Sequence, residues 1–121
     1  MKIGIDIVNN KRIKGIYEKY GERFLKKFFT DEEINYSMKK ENFIESLGAR
    51  FAAKEAFLKA IGKRLGEISL KEIEVRKRKG APFLKVYGKA KKILGNKRVE
   101  ISITHDKDYS ICVCIIYEDR R

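Results

Sequence analysis

The sequence is poor in several residue types, and each shortage narrows what it can be. It has no tryptophan, one proline, one histidine and two cysteines. No apolar run approaches the ~20 residues that a membrane-spanning helix needs, and the opening MKIGIDIV lacks the layout of a signal peptide. A soluble, cytoplasmic protein with no membrane partner is the expectation. Cys112 and Cys114 are too few for a closed zinc site and too close together for a useful disulfide loop, so reduced, buried thiols are expected. There is no internal repeat, no low-complexity segment and no interdomain linker, and residues 1–121 read as a single domain. Acids are also in deficit. Seventeen stand against 29 basic residues, a formal net charge of +12 at pH 7. That excess favours nucleic acid, phosphorylated ligands, acidic proteins or anionic membrane, and composition does not choose among them.

What is present is a chain with clear periodicities. Lys2–Val8 alternates, with Ile3, Ile5 and Ile7 on one side and Gly4, Asp6 and Val8 on the other, which predicts a strand. An aspartate within a strand is disfavoured by propensity. Asp6 is therefore either a strand-end cap for the following helix or a metal- or phosphate-site carboxylate. Asn9 and Asn10 offer an N-cap for a helix over Lys11–Tyr20. Gly21 interrupts it, and Arg23–Phe29 reads as a basic, aromatic-rich turn. Thr30–Glu33 is a capping box for a short helix. A break at Glu41–Asn42 precedes a long helix ending near Gly62. Strands are predicted at Ile73–Arg78 and Phe83–Tyr87 around a turn at Lys79–Pro82. A short helix at Gly88–Leu94 and strands at Val99–Thr104 and Tyr109–Tyr117 follow, with the tail EDRR frayed. The last strand is apolar on both faces, as in the middle of a sheet. The order argues for an α+β fold, a mostly antiparallel sheet packed on the long central helix.

That helix includes GARFAAKEAFLKAIG, Gly48–Gly62. Glu55 lies four residues after Phe51 and four before Lys59, so all three share a stripe. Gly48, Ala52 and Ala56 leave room nearby for a backbone or a ligand. Taken alone, the stripe reads as a solvated Glu–Lys pair worth about a few tenths of a kcal/mol. Lys54 reads either as a surface charge or as support for a site residue.

Three separated pieces alter that reading: GIDIV at Gly4–Val8, RFAAKEAFLKA at Arg50–Ala60 and SITHDKDY at Ser102–Tyr109. With KGAPFL at Lys79–Leu84, they resemble the phosphopantetheinyl transferases, in the short bacterial form called holo-acyl-carrier-protein synthases. The resemblance runs nearly end to end. It implies the 4′-phosphopantetheinyl transferase fold, a homotrimer, and Mg²⁺-dependent transfer of 4′-phosphopantetheine from coenzyme A to a serine of apo-acyl carrier protein. The other product would be adenosine 3′,5′-bisphosphate, and the process served would be fatty acid biosynthesis.

By resemblance, Asp6 and Glu55 are the metal ligands and Lys59 faces the phosphates, with Glu55 and Lys59 catalytic. Arg50, Phe51, Lys59, Gly62, Gly80, Pro82, Ser102 and His105 bind coenzyme A. Arg12, Lys19, Arg23 and Phe24 grip the acidic carrier protein. The serine proton goes to Asp106 or to a water held near Glu55. The competing reading, from the +12 charge and interleaved aromatics, is a small basic nucleic-acid-binding protein. It leaves Asp6, Glu55 and the SITHDKDY turn without a purpose.

Overall fold

The structure is a computed structural model, and it describes residues 1–119. Arg120 and Arg121, part of the tail expected to fray, lie outside the described residues. Strand β1 (Lys2–Asn9) runs into α1 (Asn10–Tyr20), and the Asn9 side chain accepts a hydrogen bond from the Lys11 amide at 2.9 Å as the N-cap. Gly21, at φ 56°, breaks the helix. The segment after it is not a turn as its sequence suggested but a helix, α2 (Glu22–Phe28), which buries Phe24 and Leu25. Then come α3 (Asp31–Met38), opened by the Thr30–Glu33 capping box, and the long α4 (Phe43–Ile61), closed by Gly62 in the left-handed conformation.

The hairpin strands are β2 (Ile73–Arg78) and β3 (Ala81–Val86). Their turn is shorter than the four residues expected. Arg78 pairs with Ala81, Lys79 and Gly80 both have positive φ, and Pro82 already lies in the strand opposite Lys77. Helix α5 (Gly88–Leu94) leads to β4 (Arg98–His105) and β5 (Tyr109–Tyr117). The antiparallel sheet is ordered β1-β5-β4, and β2-β3 is a separate two-stranded ribbon. Cys112 and Cys114 face α4 from the central strand, unpaired and buried, and burial above all pushes both thiols up to about 12. Among the described residues, no helix is long and apolar enough to cross a membrane.

The alternation in β1 is real, but its apolar side faces outward. Ile3, Ile5 and Ile7 are 63%, 60% and 61% exposed, whereas Gly4 and Val8 are buried against α4. The cause is a backbone-to-backbone contact. A Cβ on Gly4 would stand 2.0 Å from the Ala56 carbonyl oxygen and 2.7 Å from the Ala60 nitrogen. The alanines of α4 therefore make room for strand β1. Gly48 makes room for a side chain: Asn10, which is buried, donates to the carbonyls of Asp106 and Lys107 and accepts from Ser110 Oγ at 3.0 Å. Asn10 thus pins the β4–β5 hairpin tip to α1. Gly4→Ala is expected to cost about 3 kcal/mol, the upper part of the usual overpacking range, because neither clashing atom is a movable side chain. Urea denaturation at fixed protein concentration checks this, and an unshifted midpoint would contradict the contact.

Lys54 proves not to be a surface charge. It is 0% exposed, and its ammonium donates to Glu33 Oε1 at 2.7 Å and to the carbonyls of Leu70 and Ile73 at 2.8 and 2.7 Å. Glu33 also accepts from the Thr30 amide through Oε1 and from the Val75 amide through Oε2, each at 2.9 Å. One buried ion pair therefore ties α3, α4, the turn Leu70–Glu72 and β2 together.

Candidate active site

Because Asp6 is two residues from Gly4 and two from Val8, it faces α4 with them. Glu55 lies on the flank of α4, and the two carboxylates line one cleft of about 360 Å³. Arg12, Ile16, Phe24, Phe28 and Phe51 form much of the rest of its wall. Lys59, one turn beyond Glu55, donates to Asp6 Oδ1 and to the Ile5 carbonyl, both at 3.0 Å. Burial raises the Asp6 carboxyl above its ordinary value against the opposing pull of Lys59. Burial also raises Glu55, and the nearby charge of Asp6 adds to this while Lys59 opposes it. Two neighbouring carboxylates that resist ionisation are a pair a cation would relieve. The donors are all carboxylate oxygen. Among the described residues no group of three or more His, Cys, Asp or Glu is placed to hold a metal. The residues fit a hard cation such as Mg²⁺, which commonly takes one or two carboxylates and leaves its other positions to water or phosphate.

A second cleft, of about 280 Å³, lies on another side of α4 and brings together Arg50, Gly80, Pro82 and His105 with Tyr36, Ser46 and Lys77. Arg50 is only 5% exposed. Its Nη1 donates to Ser46 Oγ at 2.8 Å and to the Ser46 carbonyl at 3.3 Å. Its Nε is the one buried side-chain nitrogen or oxygen without a hydrogen-bond partner among the described residues. Burial lowers the Arg50 guanidinium below its ordinary value. His105 Nδ1 stands 3.2 Å from Glu45 Oε1 at the mouth.

The structure separates some residues that the sequence grouped. Arg50 and Phe51 are neighbours in the chain but, about 100° apart on the helix, they line different clefts. Gly62 is the exposed C-cap of α4 and lines neither. Ser102 sits on the outer face of β4, opposite Val113, while Ile103 and His105 turn inward to the second cleft. Lys19 and Arg23 are exposed, flanking the Tyr20 ring at 5.3 and 5.8 Å.

Two assignments need correction. Phe24 is 3% exposed and packs edge-to-face on Phe28 and Phe29, both with ring centroids 5.6 Å away. It is part of the cleft wall and does not offer a surface contact, because the α2 helix turns it inward. Asp106 is a poor proton acceptor. Its Oδ1 accepts from the amides of Tyr109 at 2.7 Å and Asp108 at 2.8 Å, and these bonds hold the carboxyl below its ordinary value. It closes the β4–β5 turn. Tyr36, Glu45 and Lys77 were not singled out from the sequence. Tyr36 and Lys77 reach the second cleft from two different elements, Glu45 faces its His105, and no local motif marks that convergence.

The chain matches the family model of the 4′-phosphopantetheinyl transferase superfamily over residues 2–114. It is 47% identical over 115 residues to a holo-[acyl-carrier-protein] synthase of Thermodesulfovibrio yellowstonii, covering 94% of this chain and 96% of that protein. It is 44% identical over 117 residues to the one from Halothermothrix orenii, covering 93% and 94%. In structure it is similar to the Bacillus anthracis holo-(acyl-carrier-protein) synthase in complex with CoA (3′,5′-ADP), with a TM-score of 0.83 at 31% identity, covering 98% of this chain and 96% of that one. The Helicobacter pylori synthase in complex with coenzyme A superposes with the same TM-score and identity, covering 94% and 98%.

Proposed function

The chain belongs to the 4′-phosphopantetheinyl transferase superfamily, and from that premise we propose how its site works. It is an enzyme that transfers 4′-phosphopantetheine from coenzyme A to a serine of apo-acyl carrier protein, for fatty acid biosynthesis. The relatives carry this reading and not that of a basic nucleic-acid binder. The serine oxygen attacks the β-phosphorus, the bond to the bridging oxygen breaks, and adenosine 3′,5′-bisphosphate leaves with that oxygen. Such a step is helped mostly by positioning and charge neutralisation. The observation that carries the assignment is the meeting of Asp6 and Glu55 in one cleft, with the Lys59 ammonium bound to Asp6. Asp6 and Glu55 would hold Mg²⁺, which when bound offsets the charge of the diphosphate. The Lys59 ammonium moves from Asp6 onto a phosphate oxygen. A water held near Glu55 takes the serine proton. The exposed cations Arg12, Lys19 and Arg23 receive the acidic carrier.

We further propose that the single domain works as a cytoplasmic homotrimer. Ile3, Ile5 and Ile7, with Ile111, Val113 and Ile115 of β5, form an apolar outer face of the sheet, of the kind that marks an interface. Arg50 and Glu55 are five residues apart, about 140° around α4. One coenzyme A reaches both clefts most simply where one protomer's second cleft meets its neighbour's first. Ser102, on the outer face, would join the donor there. Mass spectrometry should show an apo-carrier gaining one phosphopantetheine in Mg²⁺ and none in excess EDTA, and light scattering should give three chains. No gain with several bacterial carriers would sink the transfer, and a monomer with full activity would sink the shared site.

A further inference from the structure

The second cleft contains an arrangement that its motif residues do not explain. Three cations from separate parts of the chain gather around the Tyr36 ring. The Arg50 guanidinium of α4 lies 4.4 Å from its centroid, the Lys40 ammonium 4.8 Å and the Lys77 ammonium of β2 5.4 Å. Like charges at such spacing repel, and an aromatic face and a phenolic oxygen are what hold them together. The phenol is correspondingly drawn below its ordinary value, first by Lys77 and also by Lys40. The neighbouring carboxylates are otherwise engaged. Glu33 is bound by Lys54 and the Thr30 and Val75 amides, and Glu45 faces His105. Arg50 keeps an unpaired Nε in the buried wall. The cleft is therefore electropositive, with Gly80 and Pro82 in its lining, a fit for a phosphate monoester dianion.

Coenzyme A carries two anionic groups. Its diphosphate must lie by Asp6, Glu55 and Lys59 for the β-phosphorus to be attacked, which leaves the 3′-phosphate for the second cleft. Resting on the transfer reading above, we infer that Tyr36 is a positioning residue: its ring and hydroxyl hold Arg50, Lys77 and Lys40 in the arrangement that selects a donor bearing the 3′-phosphate. The residue touches the cations and not the reacting atoms, so its effect falls on recognition and leaves the chemical step alone.

The test is calorimetric titration of adenosine 3′,5′-bisphosphate and of adenosine 5′-monophosphate into the wild type, Tyr36→Phe and Tyr36→Leu, each first shown to keep the wild-type melting temperature. Tyr36→Leu should weaken the bisphosphate about tenfold, a loss expected when a shared cation–π platform goes, and leave the monophosphate within about twofold. Tyr36→Phe, which keeps the ring, should fall between. In turnover, Tyr36→Leu should raise KM for coenzyme A about tenfold with kcat within about twofold, and barely change KM for 3′-dephospho-coenzyme A. Equal weakening of both nucleotides, or of neither, overturns the proposal. A wild type that modifies no carrier overturns the transfer reading alone, since the titrations still decide the role of Tyr36.

Discussion

Glu55→Gln or Asp6→Asn should slow carrier modification by about 10²- to 10³-fold, the loss of a few kcal/mol of charge stabilisation at the diphosphate, without lowering the melting temperature. The second half of that expectation distinguishes a site from a scaffold. Both carboxyls are held above their ordinary values, chiefly by burial. Between the ordinary and the raised value the folded protein binds more protons than the unfolded chain, so stability falls as the pH rises through that window. Near neutral pH the full penalty of ionising the pair is present. An amide removes it, so Glu55→Gln should hold or gain stability. Asp6→Asn should gain less, because it also gives up the 3.0 Å pair with Lys59. That pair is partly exposed and worth little by itself. A paired assay and thermal melt checks both variants. Either one retaining full activity would sink the metal assignment, and a melting temperature lowered by about ten degrees would recast the residue as structural.

Much of this site was legible in the chain because its chemistry is written in short segments whose order and spacing are specific. GIDIV and RFAAKEAFLKA placed Asp6, Glu55 and Lys59 on two elements, and the structure brings all three together. What could not be read is what depends on which face an element turns inward. Alternation assigned Ile3, Ile5 and Ile7 to one side of β1 but could not say that the side carrying Gly4 would pack on Ala56. That choice follows from a backbone approach that involves no side chain on the strand. Asp106 belonged to a recognisable motif, yet its carboxylate closes a turn through the amides of Asp108 and Tyr109. The motif and the turn occupy the same residues, and only the geometry separates their roles. Phe24 sat in a basic, aromatic stretch that looked like surface until α2 formed and carried it into the core.

Lys54 is the residue whose environment the sequence disguised most, and its removal should be the largest single loss of stability among the changes considered. Lys54→Met keeps most of the length of the side chain and fills most of its space, so what it chiefly removes is the charge and the three bonds to Glu33, Leu70 and Ile73. Burial pulls the Lys54 ammonium below its ordinary value and Glu33 opposes that pull. Without the ammonium, the Glu33 carboxylate is left in the core with the Thr30 and Val75 amides alone. Breaking a buried pair on one side costs about 3–5 kcal/mol, which for a chain of this size is a fall of roughly 10–20 °C in melting temperature. The comparison that identifies the cause is the double variant Lys54→Met with Glu33→Gln. The amide oxygen still accepts one backbone hydrogen bond and no charge remains buried, so the double variant should be more stable than Lys54→Met alone, a strong departure from additivity. All three proteins must be melted at one concentration, because an oligomer's apparent stability rises with it. A double variant no better than the single one would mean that the loss came from packing around the Lys54 side chain. It would also mean that Glu33 is held well enough by its amides to need no counter-ion, and the ion pair would then be a fastener between α3 and α4 with little bearing on charge.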